Sequence, residues 1–221
     1  MPSAVALLSG GLDSGVALAL WIAGGDTVPL CLFADYGQRA LIRERSASSA
    51  LARRFGLAWR EVRLPWLHDA ALSAGSALVP GGGDIPQRSL AAPGDPASAR
   101  AVWVPARNVV LIATAAAMAE AAGADAVLTG FNREEAATFP DNSRAFAAAM
   151  TAVLRLGTRN AVRVESPTLP FDKAEIVQRA ATLGLGPGEF WSCYEERSEP
   201  CGTCESCVRS RRAWRALEGR S

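Results

Sequence analysis

Short apolar runs alternate with amphipathic stretches along this chain, and the period switches from that of a strand to that of a helix and back. Residues 4–8 are an apolar run of strand length, and residues 14–23 continue as an apolar helical stretch. Residues 28–33 predict a second strand, followed by a polar turn over 35–39. An amphipathic stretch over 41–55 ends at Gly56, and in residues 59–64 Val62 and Leu64 alternate against charges, which predicts a helix and a third strand. Residues 107–122 are apolar almost all round and predict a helix buried on several sides. A fourth strand over 125–130, a helix over 143–156 and a fifth strand over 162–166 follow. Asp172 can cap a last helix that Gly184 stops.

This order predicts an α/β fold, a Rossmann-like parallel sheet with helices on both faces and ligands in the crevice beyond the carboxyl ends of the strands. Residues 9–14, 35–39, 131–141 and 167–173 all follow strands and are the candidate site segments. Residues 65–100 lose the periodicity and collect Gly81, Gly82, Gly83, Pro86, Pro93, Gly94 and Pro96, which predicts an irregular loop or lid. The composition shifts past Gly184. Residues 1–184 therefore read as the main domain and 185–221 as a small C-terminal helical, metal-binding segment.

With 49% hydrophobic residues in 221, the chain has enough apolar material for a sizeable core. Its 23 Lys and Arg against 22 Asp and Glu leave a net charge of +1, so nucleic acid is not the expected partner. No apolar run is long enough to span a bilayer and no signal-peptide pattern opens the chain, so the expected location is cytoplasmic and no membrane partner is expected.

The chemistry is most legible in Ser9-Gly10-Gly11-Leu12-Asp13-Ser14-Gly15, a turn between the first strand and the first helix. Two glycines let successive N–H groups face an anion, Ser9 and Ser14 add hydroxyls, and the helix start directs its dipole at the same point. A carboxylate at Asp13 beside a polyphosphate implies a divalent cation between them, expected to be Mg²⁺. The pattern lacks the lysine and spacing of the P-loop that delivers a γ-phosphate, so the expected leaving group is pyrophosphate. Leu8, Ser9, Gly10, Gly11, Leu12, Asp13, Ser14, Gly15 and Val16 are the candidate ATP-binding residues.

Cys193, Cys201, Cys204 and Cys207 form C-x7-C-x2-C-x2-C. Four thiolates at this spacing suit one structural, tetrahedral Zn²⁺, with an iron–sulfur cluster or disulfides as the alternatives. Cys31 reads as a small buried hydrophobe and His68 as a loop residue. Arg209, Arg211, Arg212 and Arg215 follow the last cysteine on a predicted short helix. Arg209, two residues past a ligand, is the candidate anion contact.

The Ser-Gly-Gly-x-Asp-Ser loop after a first strand resembles that of the N-type ATP pyrophosphatases, which adenylate a carbonyl or carboxylate oxygen. Within that superfamily the whole chain resembles the 7-cyano-7-deazaguanine synthase family of the queuosine pathway. The resemblance rests on residues 9–14, Tyr36-Gly37-Gln38-Arg39, Val104-Pro105-Ala106-Arg107-Asn108, Thr129-Gly130 with Asn132, Phe139-Pro140-Asp141, residues 170–176 with Lys173, and the terminal cysteines. It implies a ligase that uses ATP and ammonia to turn the small molecule 7-carboxy-7-deazaguanine into the nitrile, and it implies a homodimer.

On that resemblance Asp13, Arg107, Lys173 and Glu135 are catalytic, with Arg107 and Lys173 as fixed cations and Glu134 and Glu135 placed for ammonium capture or base work. Gln38, Arg39, Arg107, Asn108, Gly130, Asn132, Asp141 and Arg209 are the implied substrate contacts. Two positions depart from the family pattern. Ala40 stands where a histidine is frequent, and residues 134–143 replace a Ser-Gly-Tyr-Pro-Asp-Cys-Arg segment. Two alternatives follow: adenylation that ends in an amide or a conjugate with another amine, and a zinc-stabilised RNA-binding module.

Overall fold

The computed structural model describes residues 1–87 and 96–219. Among these, the parallel strands β1 (Ser3–Leu7), β2 (Thr27–Asp35), β3 (Trp59–Arg63), β4 (Ala126–Leu128) and β5 (Arg163–Glu165) form one sheet in the order β3-β2-β1-β4-β5. The helices are α1 (Leu12–Ala23), α2 (Leu41–Arg54), α3 (Pro65–Ser73), α4 (Pro96–Ala101), α5 (Arg107–Ala121), α6 (Arg133–Ala136), α7 (Arg144–Gly157), α8 (Lys173–Thr182) and α9 (Glu205–Glu218).

Strand alternation divides the core. Ala4, Ala6 and Leu8 face α1 and α8, whereas Val5 faces the layer of α5 and α7 with Val127 and Val164. The order runs outward from β1 to β2 and β3 on one side and to β4 and β5 on the other, so the direction of winding switches between β1 and β4. A crevice opens at that point beyond the carboxyl ends, where such sheets bind ligands. The α/β expectation therefore holds.

Several expectations are corrected. Residues 65–100 are not wholly irregular: α3 starts on Pro65, whose fixed φ suits a first helical position, and buries Leu67 and Ala71. His68 accordingly lies on a helix rather than in a loop, while Pro93 and Gly94 lie outside the described residues. Helix α5 buries one face only, Ile112, Ala115, Ala116 and Ala119, and leaves Val109 41% exposed. The alanines that made it read as apolar all round are small enough to sit at a half-open surface. The terminal helix is not short either; it starts at Glu205, ahead of Cys207, and runs 14 residues.

The C-terminal residues pack into the same body. Leu185 and Ala213 belong to the core layer of β1, and Trp191 N–H donates to Gly10 O at 2.9 Å. Cys31 is fully buried, as expected of a small hydrophobe.

Candidate active site

The turn after β1 is shaped by two close approaches. Gly10 has φ +84°, and a Cβ there would lie 2.6 Å from Glu44 O on α2. From the other side, a Cβ on Gly130, just past β4, would lie 2.5 Å from Ser14 N, so only glycine lets the end of β4 touch the first turn of α1. Ser9 and Ser14 close the loop: Ser9 Oγ lies 3.0 Å from Ser14 Oγ and accepts from Gly11 N–H at 3.3 Å. The N-terminus of α1 and these hydroxyls face a cavity of about 180 Å³ lined by Ser9, Gly11, Asp13, Ser14, Gly130 and Glu135 among others.

At the edge of this cavity one ammonium serves two carboxylates. Lys173 Nζ lies 2.6 Å from Asp13 Oδ2 and 3.1 Å from Glu135 Oε1. Local structure fixes all three. Asp13 is in the first turn of α1. Lys173 opens α8 behind a capping box in which Asp172 accepts from Glu175 N–H and Glu175 accepts from Asp172 N–H. Glu135 sits on α6, whose cap Asn132 accepts from Glu135 N–H at 2.8 Å.

Burial raises the Asp13 carboxyl from 3.8 to about 6, since it outweighs Lys173 and is helped by Glu135 and Glu134. Burial also acts on Glu135, but Lys173 and Arg209 together hold it below the usual carboxylate range. The Lys173 ammonium is desolvated too, and Asp13 and Glu135 more than restore it, so its value is raised. Asp13 Oδ1 is buried with no partner among the described residues. A cation or a bound donor would satisfy it.

A second cavity of about 240 Å³ adjoins the first at the ends of β1 and β2, sharing Ser9 and Asn108 with it. Arg107 lines it from the start of α5, next to Ala106 at φ 52°, and its guanidinium acts electrostatically on Tyr36, Asp141 and Glu44. Burial raises Asp141, opposed by Arg107. Asn108 Nδ2 donates to Asp141 O at 3.2 Å.

The expected site residues thus converge at the switch point, with differences. Gln38 lines the second cavity, yet its amide is engaged internally: Oε1 accepts from Tyr36 N–H at 3.0 Å and Nε2 donates to Ala34 O and Glu44 Oε2. Arg39 lies on neither cavity wall; it donates to Ala77 O at 2.8 Å and Gly83 O at 3.0 Å, stapling the segment after α3. Leu12 and Val16 are buried behind the loop, and Gly15 packs on Phe190. Asn132 is fully buried, with Nδ2 unpartnered among the described residues. Tyr36 and Glu44 are cavity residues that the motifs did not single out as contacts; Glu44 is one charge among several on an amphipathic helix, and only the fold turns it inward.

Arg209 comes from α9. It is 13% exposed, donates to Glu205 at 2.6 Å, keeps a buried Nε without a partner among the described residues, and acts on Glu135 across the gap. Just before α9 the four sulfurs of Cys193, Cys201, Cys204 and Cys207 lie within 4.8 Å of one another, and every cysteine is free. Cys193 Sγ accepts from the N–H groups of Glu195 and Cys201 at 3.4 Å, and Cys201 Sγ accepts from Cys204 N–H at 3.3 Å, the pattern of thiolates held by main chain. Tetrahedral Zn–S bonds of about 2.3 Å put sulfurs about 3.8 Å apart, close to the 3.9 Å between Cys201 and Cys207. The cluster could hold one metal ion.

Residues 3–218 match the family model described as queuosine biosynthesis protein QueC. The chain belongs to that family. It is 44% identical over 219 residues to a 7-cyano-7-deazaguanine synthase from Desulforudis audaxviator, covering 97% of both chains. Proteins of the same name from Pelotomaculum thermopropionicum and Bdellovibrio bacteriovorus are 46% and 42% identical, over 95% of this chain and 95% and 91% of theirs. A solved NMN synthetase from Francisella tularensis matches with TM-score 0.46 and 15% identity over 91% of this chain and 70% of that one. The resemblance read from the ordered motifs thus holds over nearly the whole of this chain. Among the described residues no helix is long and apolar enough to cross a membrane.

Proposed function

We propose that this chain is an ATP-dependent ligase that converts 7-carboxy-7-deazaguanine and ammonia to 7-cyano-7-deazaguanine. The observation that carries the proposal is the buried Asp13–Lys173–Glu135 cluster beside the Ser9 to Ser14 turn, within a chain of the QueC family. A carboxylate oxygen of the substrate attacks the α-phosphorus of ATP and pyrophosphate leaves. Ammonia then attacks the acyl carbon, AMP departs, and a proton is lost to give the amide. A second ATP adenylates the amide oxygen; loss of AMP and of both N–H protons leaves C≡N.

The residues divide this work. Main-chain N–H groups of the turn and the N-terminus of α1 hold the departing pyrophosphate. Asp13 Oδ1 would hold Mg²⁺, which neutralises polyphosphate charge when bound. Lys173 stabilises charge developing at the phosphorus, and Arg107 and Arg209 hold the substrate's carboxylate in a desolvated cleft. Glu135, kept ionised, orients ammonium and accepts its proton. The cysteine cluster would hold Zn²⁺, which has no open position there and supplies folding energy. Family resemblance adds a homodimer, and the sequence pattern and the net charge of +1 add a cytoplasmic location with no nucleic-acid partner expected.

Purified protein given ATP, Mg²⁺, ammonium and the acid should release AMP and pyrophosphate and form the nitrile, detected by mass spectrometry. Background ATP turnover alone would overturn the proposal, and an amide or conjugate that accumulates without nitrile would replace it.

A further inference from the structure

Gly11 N–H is one of the donors that the turn after β1 offers to an anion, and its direction is set by the peptide it shares with Gly10. That peptide lies between two glycines, Gly10 at φ +84° and Gly11 at φ −77°, so no Cβ resists its turning over. The peptide after it is held by α1, since Gly11 O accepts from Gly15 N–H at 3.0 Å and from Ser14 Oγ at 3.2 Å. The Gly10–Gly11 peptide is held from outside the turn instead. Gly10 O accepts from Trp191 N–H at 2.9 Å, with no other donor to it among the described residues. In a trans peptide the carbonyl and the N–H point opposite ways, so a carbonyl fixed on Trp191 directs Gly11 N–H toward Ser9 Oγ, beside the 180 Å³ cavity. The bond to Ser9, at 3.3 Å, is longer than an ordinary N–H···O bond, and a phosphate oxygen can take its place.

Trp191 is itself anchored on both flanks. Phe190 packs on the core layer of β1, where a Cβ on Gly15 would lie 2.6 Å from its ring, and Cys193, two residues past Trp191, belongs to the four-sulfur cluster. The indole packs against Ala77, Ile85, Cys193, Cys204 and Cys207, and the Arg43 guanidinium of α2 stands over it at 5.4 Å. We propose that Trp191 is a positioning residue for ATP: its main-chain N–H fixes the Gly10–Gly11 peptide in the orientation that presents Gly11 N–H to a phosphate oxygen. The cysteine segment is then part of the nucleotide site as well as of the fold. Zn²⁺ on the sulfurs would steady the donor two residues upstream. This role rests on the reading of the turn as a phosphate cradle, and it adds a residue about 180 positions away from the motif.

The test replaces residue 191 with the α-hydroxy acid of tryptophan, which keeps the indole and exchanges the main-chain N–H for an ester oxygen. Trp191→Pro compared with Trp191→Ala asks the same question in encoded form, because both lose the indole and only proline loses the donor. Phe190, at φ −120° and ψ 147°, already has the backbone that a following proline requires. Kd values for ATP and for adenosine are read by calorimetry with Mg²⁺, and zinc content is measured on every protein. The ester should bind ATP at least about fivefold more weakly than the parent, with its Kd for adenosine within about twofold and its zinc content unchanged. Proline should fall below alanine by a similar factor, for ATP alone. An ester that binds ATP as the parent does overturns the proposal. So does a loss shared equally by adenosine or accompanied by loss of zinc, which reports damage to the fold. Should the proline variant not fold, the ester decides. A parent that binds ATP no more tightly than adenosine refutes the phosphate cradle itself, a different outcome from an ester that matches an ATP-binding parent.

Discussion

Lys173 Nζ lies 2.6 Å from Asp13 Oδ2 and so joins the last sheet-covering helix to the first, across 160 positions of sequence. Lys173 is also the one lysine of the chain. Among the described residues the pairing leaves Asp13 with one satisfied oxygen and one without a partner, and with a carboxyl raised to about 6. A carboxylate kept in this state stabilises little by itself and becomes favourable when a cation and polyphosphate arrive.

Asp13→Asn should therefore separate stability from function. An acid whose folded value is raised contributes stability that is complete below its unfolded value and is lost as pH climbs through the folded one. For Asp13 the window runs from 3.8 to about 6, and at 1.36 kcal/mol per pKa unit the ceiling is roughly 3 kcal/mol. The ligand-free variant should match the parent near pH 4 and melt at or above it at pH 8. Its kcat/KM should fall at least about 100-fold. A variant that melts lower at pH 8 than at pH 5, relative to the parent, contradicts the raised carboxyl.

The contact between Gly130 and Ser14 predicts a steric lesion with a local effect. A methyl group at 130 falls 2.5 Å from Ser14 N and 2.7 Å from Asp13 C, both main chain, so α1 must retreat from the end of β4. Gly130→Ala should cost about 1–3 kcal/mol, as overpacking of a rigid contact does. ATP affinity should drop at least about tenfold, measured by equilibrium binding, since the displaced atoms are the cradle. Parent-like ATP binding would mean that the cradle adapts by shifting a strand end.

The cysteine cluster reaches beyond its own loop. Ala77 and Ile85 pack on Cys193, Cys204 and Cys207, and Gln87 bridges Cys204 as an isolated antiparallel pair. Metal lost from these sulfurs should loosen the segment that Arg39 staples. Cys204→Ser should lower the zinc content per chain and destabilise by at least about 3 kcal/mol, or roughly 6–12 °C in Tm for a chain of this size. Hydrogen exchange should quicken over residues 76–87 as well as 193–207. Exchange confined to the cysteine segment would show that the two loops are not coupled.

How much was legible follows from where the information sits. The turn from Ser9 to Ser14, the Asp172 cap and the four cysteines are local signals, in which the residues that define the feature are neighbours, and all appear in the structure as such. Glu44 is turned inward by a hydrogen bond from Gln38 six positions earlier, at the turn between β2 and α2, and the charge pattern of an amphipathic helix does not mark which of its charges faces that turn. Arg39 belongs to a motif that implies a substrate contact, but its guanidinium is spent on two carbonyls 38 and 44 positions away. Helix α3 is hard to read from the sequence because its turn-rich neighbours mask a nine-residue element that relies on Pro65 and on the burial of Leu67.

Arg209 poses the choice between anion contact and scaffold most sharply. Its bond to Glu205 is an i,i+4 pair within α9, and Glu205 is 5% exposed, so the pair is buried and fixed. A guanidinium needed only to neutralise Glu205 would have no reason to keep Nε unpartnered or to act on Glu135 from the neighbouring layer. Arg209→Met keeps the length and apolar stem and removes the charge. If Arg209 holds the substrate's carboxylate, KM for the acid rises at least about tenfold, KM for ATP stays within twofold, and zinc content is that of the parent. If it is scaffold alone, zinc content and Tm fall together while both KM values of the folded fraction stay put. The kinetic split and the metal assay read different consequences of one substitution, so the two roles cannot be confused.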